Sequence, residues 1–164
     1  IGGVRVVGTG DPRNPAVLFI HGSPGKWDNF IDYLADPVLT EQAHLLSMDR
    51  PGYGGASVGV PEPSLRGQAR AAAAVLERHG PAVVVGHSLG GPIAGRLAMD
   101  RPDLVSALLL LSPSVDPSLE RVAWYQHLAA FPPVSAVLPA SVDVCNRELL
   151  PLRGELEAMA NRWS

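Results

Sequence analysis

Two rhythms of apolar and polar positions alternate along the first 111 residues. Residues 4–7, Ala16–Ile20, His44–Met48, 83–85 and Val105–Leu111 are short apolar runs. Ala16–Ile20 and 83–85 are unbroken, as suits strands buried on both faces of a parallel sheet. Between them the spacing turns helical. Trp27, Phe30, Ile31 and Leu34 fall at i, i+3, i+4 and i+7, which predicts one helix stopping near Pro37. Ser64 is placed to cap a helix over 64–78, with Leu65, Ala69, Ala72, Ala73 and Leu76 inward and Gly80-Pro81 as its stop. A third helix begins after the Val83-Val84-Val85 strand and reaches about Asp100, before Pro102. Strands alternating with helices at this interval predict an α/β fold with a mostly parallel sheet and flanking helices.

From Pro113 onward the pattern changes and no further strand is predicted. Trp124, Tyr125, Leu128 and Phe131 form a short amphipathic segment ending at Pro132-Pro133. The apolar stretch 134–144 is interrupted by Pro139. Residues 147–163 carry Leu149, Leu152, Leu156, Met159 and Trp163 at helical spacing. The Glu and Arg residues between them read as a solvated face. The expected division is a core over residues 1–116 and a helical segment over 117–164.

The chemistry concentrates where the buried strand 83–85 runs into Gly86-His87-Ser88-Leu89-Gly90-Gly91. A G-x-S-x-G sequence between a strand and a helix is the form of a nucleophile elbow, a sharp turn that lifts one serine hydroxyl above a sheet. In a chain with 17 glycines the motif alone is modest evidence, and context decides. A second match, Gly55-Ala56-Ser57-Val58-Gly59, follows the Pro/Gly loop 50–54 and runs into Pro61 and Pro63, so Ser57 reads as a loop residue. Ser88 has the strand before it and the helix after it.

Composition bounds the remaining readings. A length of 164 residues, 46% hydrophobic and 18% charged, fits one well-packed domain. A net charge of −3 with no basic cluster gives no reason to expect nucleic acid or an anionic membrane surface as partner. The longest apolar run is too short to span a bilayer. Cys145 is the single cysteine, so no disulfide framework or cysteine metal site is expected, and it reads as a packing residue. The histidines and carboxylates show no ligand spacing, so neither metal nor cofactor is implied. A phosphate-binding reading of Gly22 to Lys26 fails, because Ile20 stands at the first glycine position of a P-loop and Trp27 at its Ser/Thr position.

Four features then coincide in order: His21-Gly22-Ser23-Pro24 at a strand end, the loop Asp49-Arg50-Pro51-Gly52-Tyr53-Gly54, the elbow 86–91, and the strand end Leu108-Leu109-Leu110-Leu111-Ser112-Pro113. Over residues 16–113 the chain resembles an α/β-hydrolase of the branch with a helical cap. The resemblance implies Ser88 as nucleophile, an oxyanion hole made by the backbone N–H groups of Ser23 and Leu89, an oxyanion loop containing His21 and Gly22, and a cap beginning after Asp116. It also implies a small, largely apolar ester or related carbonyl substrate handled through an acyl-enzyme.

That family orders its triad as serine, acid, histidine, with the last two after later strands. No such strands are predicted here, which leaves an incomplete core and implies an N-terminal portion of a longer polypeptide. Asp116 and His127 are the remaining candidates for acid and base. The strand Val105–Leu111 would then keep an unpaired apolar edge, through which self-association is expected. Alternatives from other classes are a non-catalytic ligand-binding module on this scaffold and one part of a split enzyme. Compartment is left open.

Overall fold

The structure, a computed structural model, describes residues 4–54, 62–120, 122–138 and 140–162. The second G-x-S-x-G match with Ser57, and the last apolar position of the tail, Trp163, lie outside the described residues. Five strands, β1 (Val6–Thr9), β2 (Ala16–Ile20), β3 (His44–Met48), β4 (Ala82–His87) and β5 (Val105–Leu111), form one sheet in the order β1-β3-β2-β4-β5. β1 is antiparallel to β3, and every other pairing is parallel. The first strand runs from Val6 to Thr9, slightly beyond the predicted 4–7.

Each parallel step needs a helical crossover. Between β2 and β3 the chain makes a 3-10 turn at Trp27–Phe30, then α1 (Ile31–Ala35) and α2 (Pro37–Gln42). The single helix predicted here is divided into the 3-10 turn and α1, which ends at Ala35 near the expected stop, and Pro37 also starts a further helix. Asp36 has extended backbone and its carboxylate accepts the Leu39 N–H at 3.0 Å, with Pro37 in the first turn, where a missing N–H costs nothing. The tighter 3-10 turn also rotates Ile31 off the inward face: it is 49% exposed, whereas Phe30 and Leu34 are buried.

β3 returns to β4 through α3 (Leu65–His79), capped by Ser64 Oγ, which accepts the Gly67 N–H at 3.0 Å. Leu65, Ala69, Ala72, Ala73 and Leu76 are all buried, as predicted. β4 passes through the elbow into α4 (Gly90–Asp100), which leads to β5. α5 (Trp124–Ala129), α6 (Pro132–Ser135) and α7 (Ala140–Ala160) follow, and among the described residues no strand comes after β5.

Two apolar clusters flank the sheet. The larger joins Leu18, Leu46, Leu76, Val84, Ile93 and Leu97 with Leu152 and Leu156 of α7, so the last helix is part of the main core. The smaller holds Phe19, Phe30, Leu34, Leu45 and Val85. The outer strand is less well covered. β5 pairs with β4 alone among the described strands, and Leu108, Leu109 and Leu110 are 40%, 51% and 38% exposed.

Candidate active site

Ser88 stands between β4 and α4 with φ of +52°, left-handed backbone that side-chain-bearing residues adopt at a cost of about 1–3 kcal/mol. Three backbone bonds hold it there. The Ser88 N–H donates to the Leu111 carbonyl at 3.1 Å. The Ser88 carbonyl accepts the Gly91 N–H at 2.9 Å and the Ser114 N–H at 3.1 Å. The glycines around it have steric reasons. A Cβ on Gly86 would lie 2.4 Å from the Gly90 carbonyl oxygen, and one on Gly90 would lie 2.1 Å from that of Ile20. The turn is therefore closed by backbone packed on backbone, where only hydrogen fits.

The loop after β2 lies against this turn. A Cβ on Gly22 would sit 2.8 Å from Ser88 Cβ and 3.3 Å from Ser88 Oγ, so the Gly22 backbone touches the serine directly. Leu89 is the N-cap of α4, and its N–H is at the positive end of the helix dipole. Gly22 and Leu89 thus lie beside Ser88, and Ser23 follows Gly22 in the loop.

His21 and Gly22 are anchored from below by residues that sequence reasoning passed over. The Arg50 N–H donates to His21 Nε2 at 3.1 Å, which places the ring proton on Nδ1, and Nδ1–H donates to the Gly22 carbonyl at 2.7 Å. Arg50 Nε at 3.4 Å from Nδ1 is then a contact between two donors. Burial, with the Arg50 charge alongside, pushes the His21 pKa down to about 3. The ring is neutral and structural.

The Arg50 guanidinium is wholly buried. Nη2 donates to the Gly22 carbonyl at 2.8 Å, and Nη1 donates to Gln68 Oε1 and, at 2.7 Å, to Glu148 Oε1. Glu148 comes from α7 and is 2% exposed. Its Oε1 also accepts from Gln68 Nε2 at 2.6 Å. Its Oε2 is reached by Tyr53 OH at 2.7 Å, Ser23 Oγ at 2.9 Å and Arg50 Nη2 at 3.2 Å. Ser23 Oγ and Tyr53 OH are 2.5 Å apart as well, so two hydroxyl protons serve three contacts. Arg50 also stacks over the Tyr53 ring at 4.6 Å, and burial beside the Glu148 carboxylate raises the Tyr53 pKa.

The expectation of a solvated charged face on α7 is therefore corrected at Glu148. The missed signal was its position: Glu148, Leu152 and Leu156 fall at i, i+4 and i+8, one stacked face of a helix. Glu155 departs from the same expectation, because its carboxylate accepts the Leu65 N–H at 2.7 Å and helps cap α3.

Neither the candidate acid nor the candidate base is hydrogen-bonded to Ser88. Asp116 is exposed, and its carboxylate accepts from the Ser118 N–H and hydroxyl, which hold its pKa below the usual range. His127 is exposed on α5. Among the described residues no imidazole or carboxylate accepts from Ser88 Oγ, and no three His, Cys, Asp or Glu side chains converge as a metal site. Cys145 is half-buried on α7 with a free thiol.

Residues 15–135 match the family model described as alpha/beta hydrolase fold. The chain belongs to this family. It is 34% identical over 124 residues to an sn-1-specific diacylglycerol lipase of Mus musculus, covering 74% of this chain and 39% of that protein. To the lipase LipV of Mycobacterium tuberculosis it is 38% identical over 110 residues, 63% of this chain and 40% of that one. Among solved structures, an N-acyl homoserine lactonase complexed with N-butanoyl homoserine superimposes with a TM-score of 0.70 over 96% of this chain and 67% of its own, at 21% identity, a likeness of fold alone. The chain spans less than half the length of the two lipases it matches.

Proposed function

We propose that this α/β-hydrolase chain carries the nucleophile and the oxyanion hole of a serine hydrolase acting on a small, largely apolar ester or related carbonyl compound. The observation that carries the reading is Ser88 itself, held at φ +52° between strand and helix with Gly22 against its side chain. Strain of this kind persists where surrounding structure enforces it, and it exposes the hydroxyl for attack. Relatives named as lipases and an esterase agree with ester chemistry.

In the proposed reaction Ser88 Oγ attacks the substrate carbonyl carbon and gives up its proton to a base. The tetrahedral oxyanion accepts hydrogen bonds from the Ser23 and Leu89 N–H groups, each contributing about 3 kcal/mol. Collapse expels the alcohol and leaves Ser88 acylated, and water then releases the acid. Core residues 1–116 would supply these groups, and segment 117–164 would form the start of a cap. A serine at the elbow separates this chemistry from dehalogenases and epoxide hydrolases of the same fold, which use a carboxylate there.

A fluorophosphonate probe tests the reading. Covalent labelling located at Ser88 by mass spectrometry, and lost in Ser88→Ala, is the expected result. A folded chain that takes no label, even at high pH where hydroxide can act as base, overturns it.

A second reading is supported by the absence of any imidazole on Ser88 Oγ among the described residues: a ligand-binding module on the same scaffold, or one part of a split enzyme. Stabilisation by a small apolar ester without turnover distinguishes the former. Activity appearing only on mixing with a second chain distinguishes the latter.

A further inference from the structure

We propose that Glu148 is a positioning residue for the oxyanion hole, acting through Arg50 on the Gly22–Ser23 peptide; the proposal rests on the reading of Ser88 and Ser23 given above. The Gly22 carbonyl and the Ser23 N–H belong to one planar trans peptide unit, so they point in opposite directions and cannot rotate independently. Arg50 Nη2 at 2.8 Å and His21 Nδ1 at 2.7 Å both donate to that carbonyl. Whatever fixes the carbonyl thereby aims the N–H on the far side of the same plane. The plane adjoins the elbow, since Gly22 packs on Ser88 Cβ and Oγ.

Arg50 has a long side chain with many rotamers, and a single carbonyl would not hold it. Glu148 supplies the counter-charge and the fork. Its two oxygens take Nη1 at 2.7 Å and Nη2 at 3.2 Å, with both side chains 1% exposed. The same carboxylate reaches Ser23 Oγ, so the residue that donates the proposed N–H is tied to Glu148 at its other end as well. Gln68 and Tyr53 occupy further lone pairs of the carboxylate, leaving Glu148 little freedom to turn.

Burying such a pair is weak support for stability, because desolvation offsets the attraction, and apolar replacements of similar volume are often as stable. The arrangement is better explained by what it orients. An oxyanion donor acts only when aimed before the charge develops, and a displacement of about 1 Å can cost on the order of 100-fold in rate.

The test uses the full 164-residue chain, Glu148→Gln, and Leu152→Ala as a variant that loosens α7 without touching the polar cluster. Two quantities are read: the 15N order parameter of the Ser23 N–H, with Leu89 as internal reference, and the rate of Ser88 phosphonylation. In Glu148→Gln the Ser23 order parameter is expected to fall from about 0.85 to below about 0.6 while Leu89 stays rigid. Labelling should slow roughly 10- to 100-fold. Leu152→Ala should lower Tm and leave both readouts near wild type. If Glu148→Gln does not fold, Tyr53→Phe, which removes one donor to Glu148 Oε2, is read in its place with a smaller change in the same direction.

An unchanged Ser23 order parameter with a lowered Tm overturns the proposal and makes Glu148 a packing residue. If wild type takes no label, the nucleophile reading falls on its own. The Ser23 order parameter still decides whether Glu148 sets that peptide.

Discussion

The two arms of the proposed oxyanion hole are built in opposite ways. The Leu89 arm is built on a short run: Gly86, Ser88, Gly90 and Gly91 lie within six residues, and a Cβ is shut out by the turn's own backbone at Gly86 and by the Ile20 and His21 carbonyls at Gly90. Its longer ties, the Ser88 N–H to Leu111 and the Ser88 carbonyl to Ser114, still join neighbouring strand ends. The Ser23 arm is held from far along the chain, by Arg50 28 residues from Gly22 and by Glu148 125 residues from Ser23. One arm is specified by sterics that leave a mark in composition. The other is specified by polar groups whose partners are known only once the chain has folded.

The largest test of this contrast is at the Leu89 arm. Gly90→Ala places a methyl 2.1 Å from the Ile20 carbonyl oxygen and 2.9 Å from that of His21, both backbone atoms that cannot step aside. A loss of about 5 kcal/mol is expected, comparable with the whole stability of a small domain. Urea denaturation decides it. A variant as stable as wild type would show that the elbow can open.

At the distant arm the expected pattern is different, because partners can be exchanged together. Arg50→Met alone should cost about 3–5 kcal/mol by leaving the Glu148 carboxylate buried without its cation, and Arg50→Met with Glu148→Leu should recover most of that. A double variant as unstable as the single would mean that the cluster is held by shape and not by charge.

His21 links the two arms and gives a pH signature. Its pKa is pushed from the ordinary 6.5 to about 3 in the folded chain. Between these values the unfolded chain binds a proton that the folded one does not. The stabilisation is therefore complete above pH 6.5 and is lost as the pH falls, by roughly 3 kcal/mol at pH 4. NMR of the His21 ring should show no inflection between pH 8 and 4. A midpoint near 6.5 would contradict its neutral, buried role.

The smallest effect on stability is expected at β5. Leu109→Lys, on an edge position 51% exposed, should change unfolding by less than about 0.5 kcal/mol while reducing association seen by light scattering at micromolar concentration. Equal monodispersity in both chains would remove the edge as a self-association surface.

Much of the fold was legible because its signals are short-range. The apolar runs of β2, β3 and β5 match the structure residue for residue, and the inward face of α3 follows from spacing alone. The misreadings share a cause. One helix was expected where a 3-10 turn, α1 and α2 stand, because apolar spacing does not show that the Asp36 carboxylate will take the Leu39 N–H and start a second helix at Pro37. Glu148 was taken as solvated because a carboxylate on a helix is usually at the surface. The sequence does not state that an arginine 98 positions earlier will be waiting for it.

By itself, then, the sequence determined the order of strands and helices, the family and the strained serine, since each depends on residues close together or on glycines that leave no steric alternative. Only the tertiary structure decided which side chains hold Gly22 and Ser23, that His21 is neutral, and that Asp116 and His127 are exposed without a hydrogen bond to Ser88. Those depend on which groups lose their water together, and desolvation is a property of the packed chain.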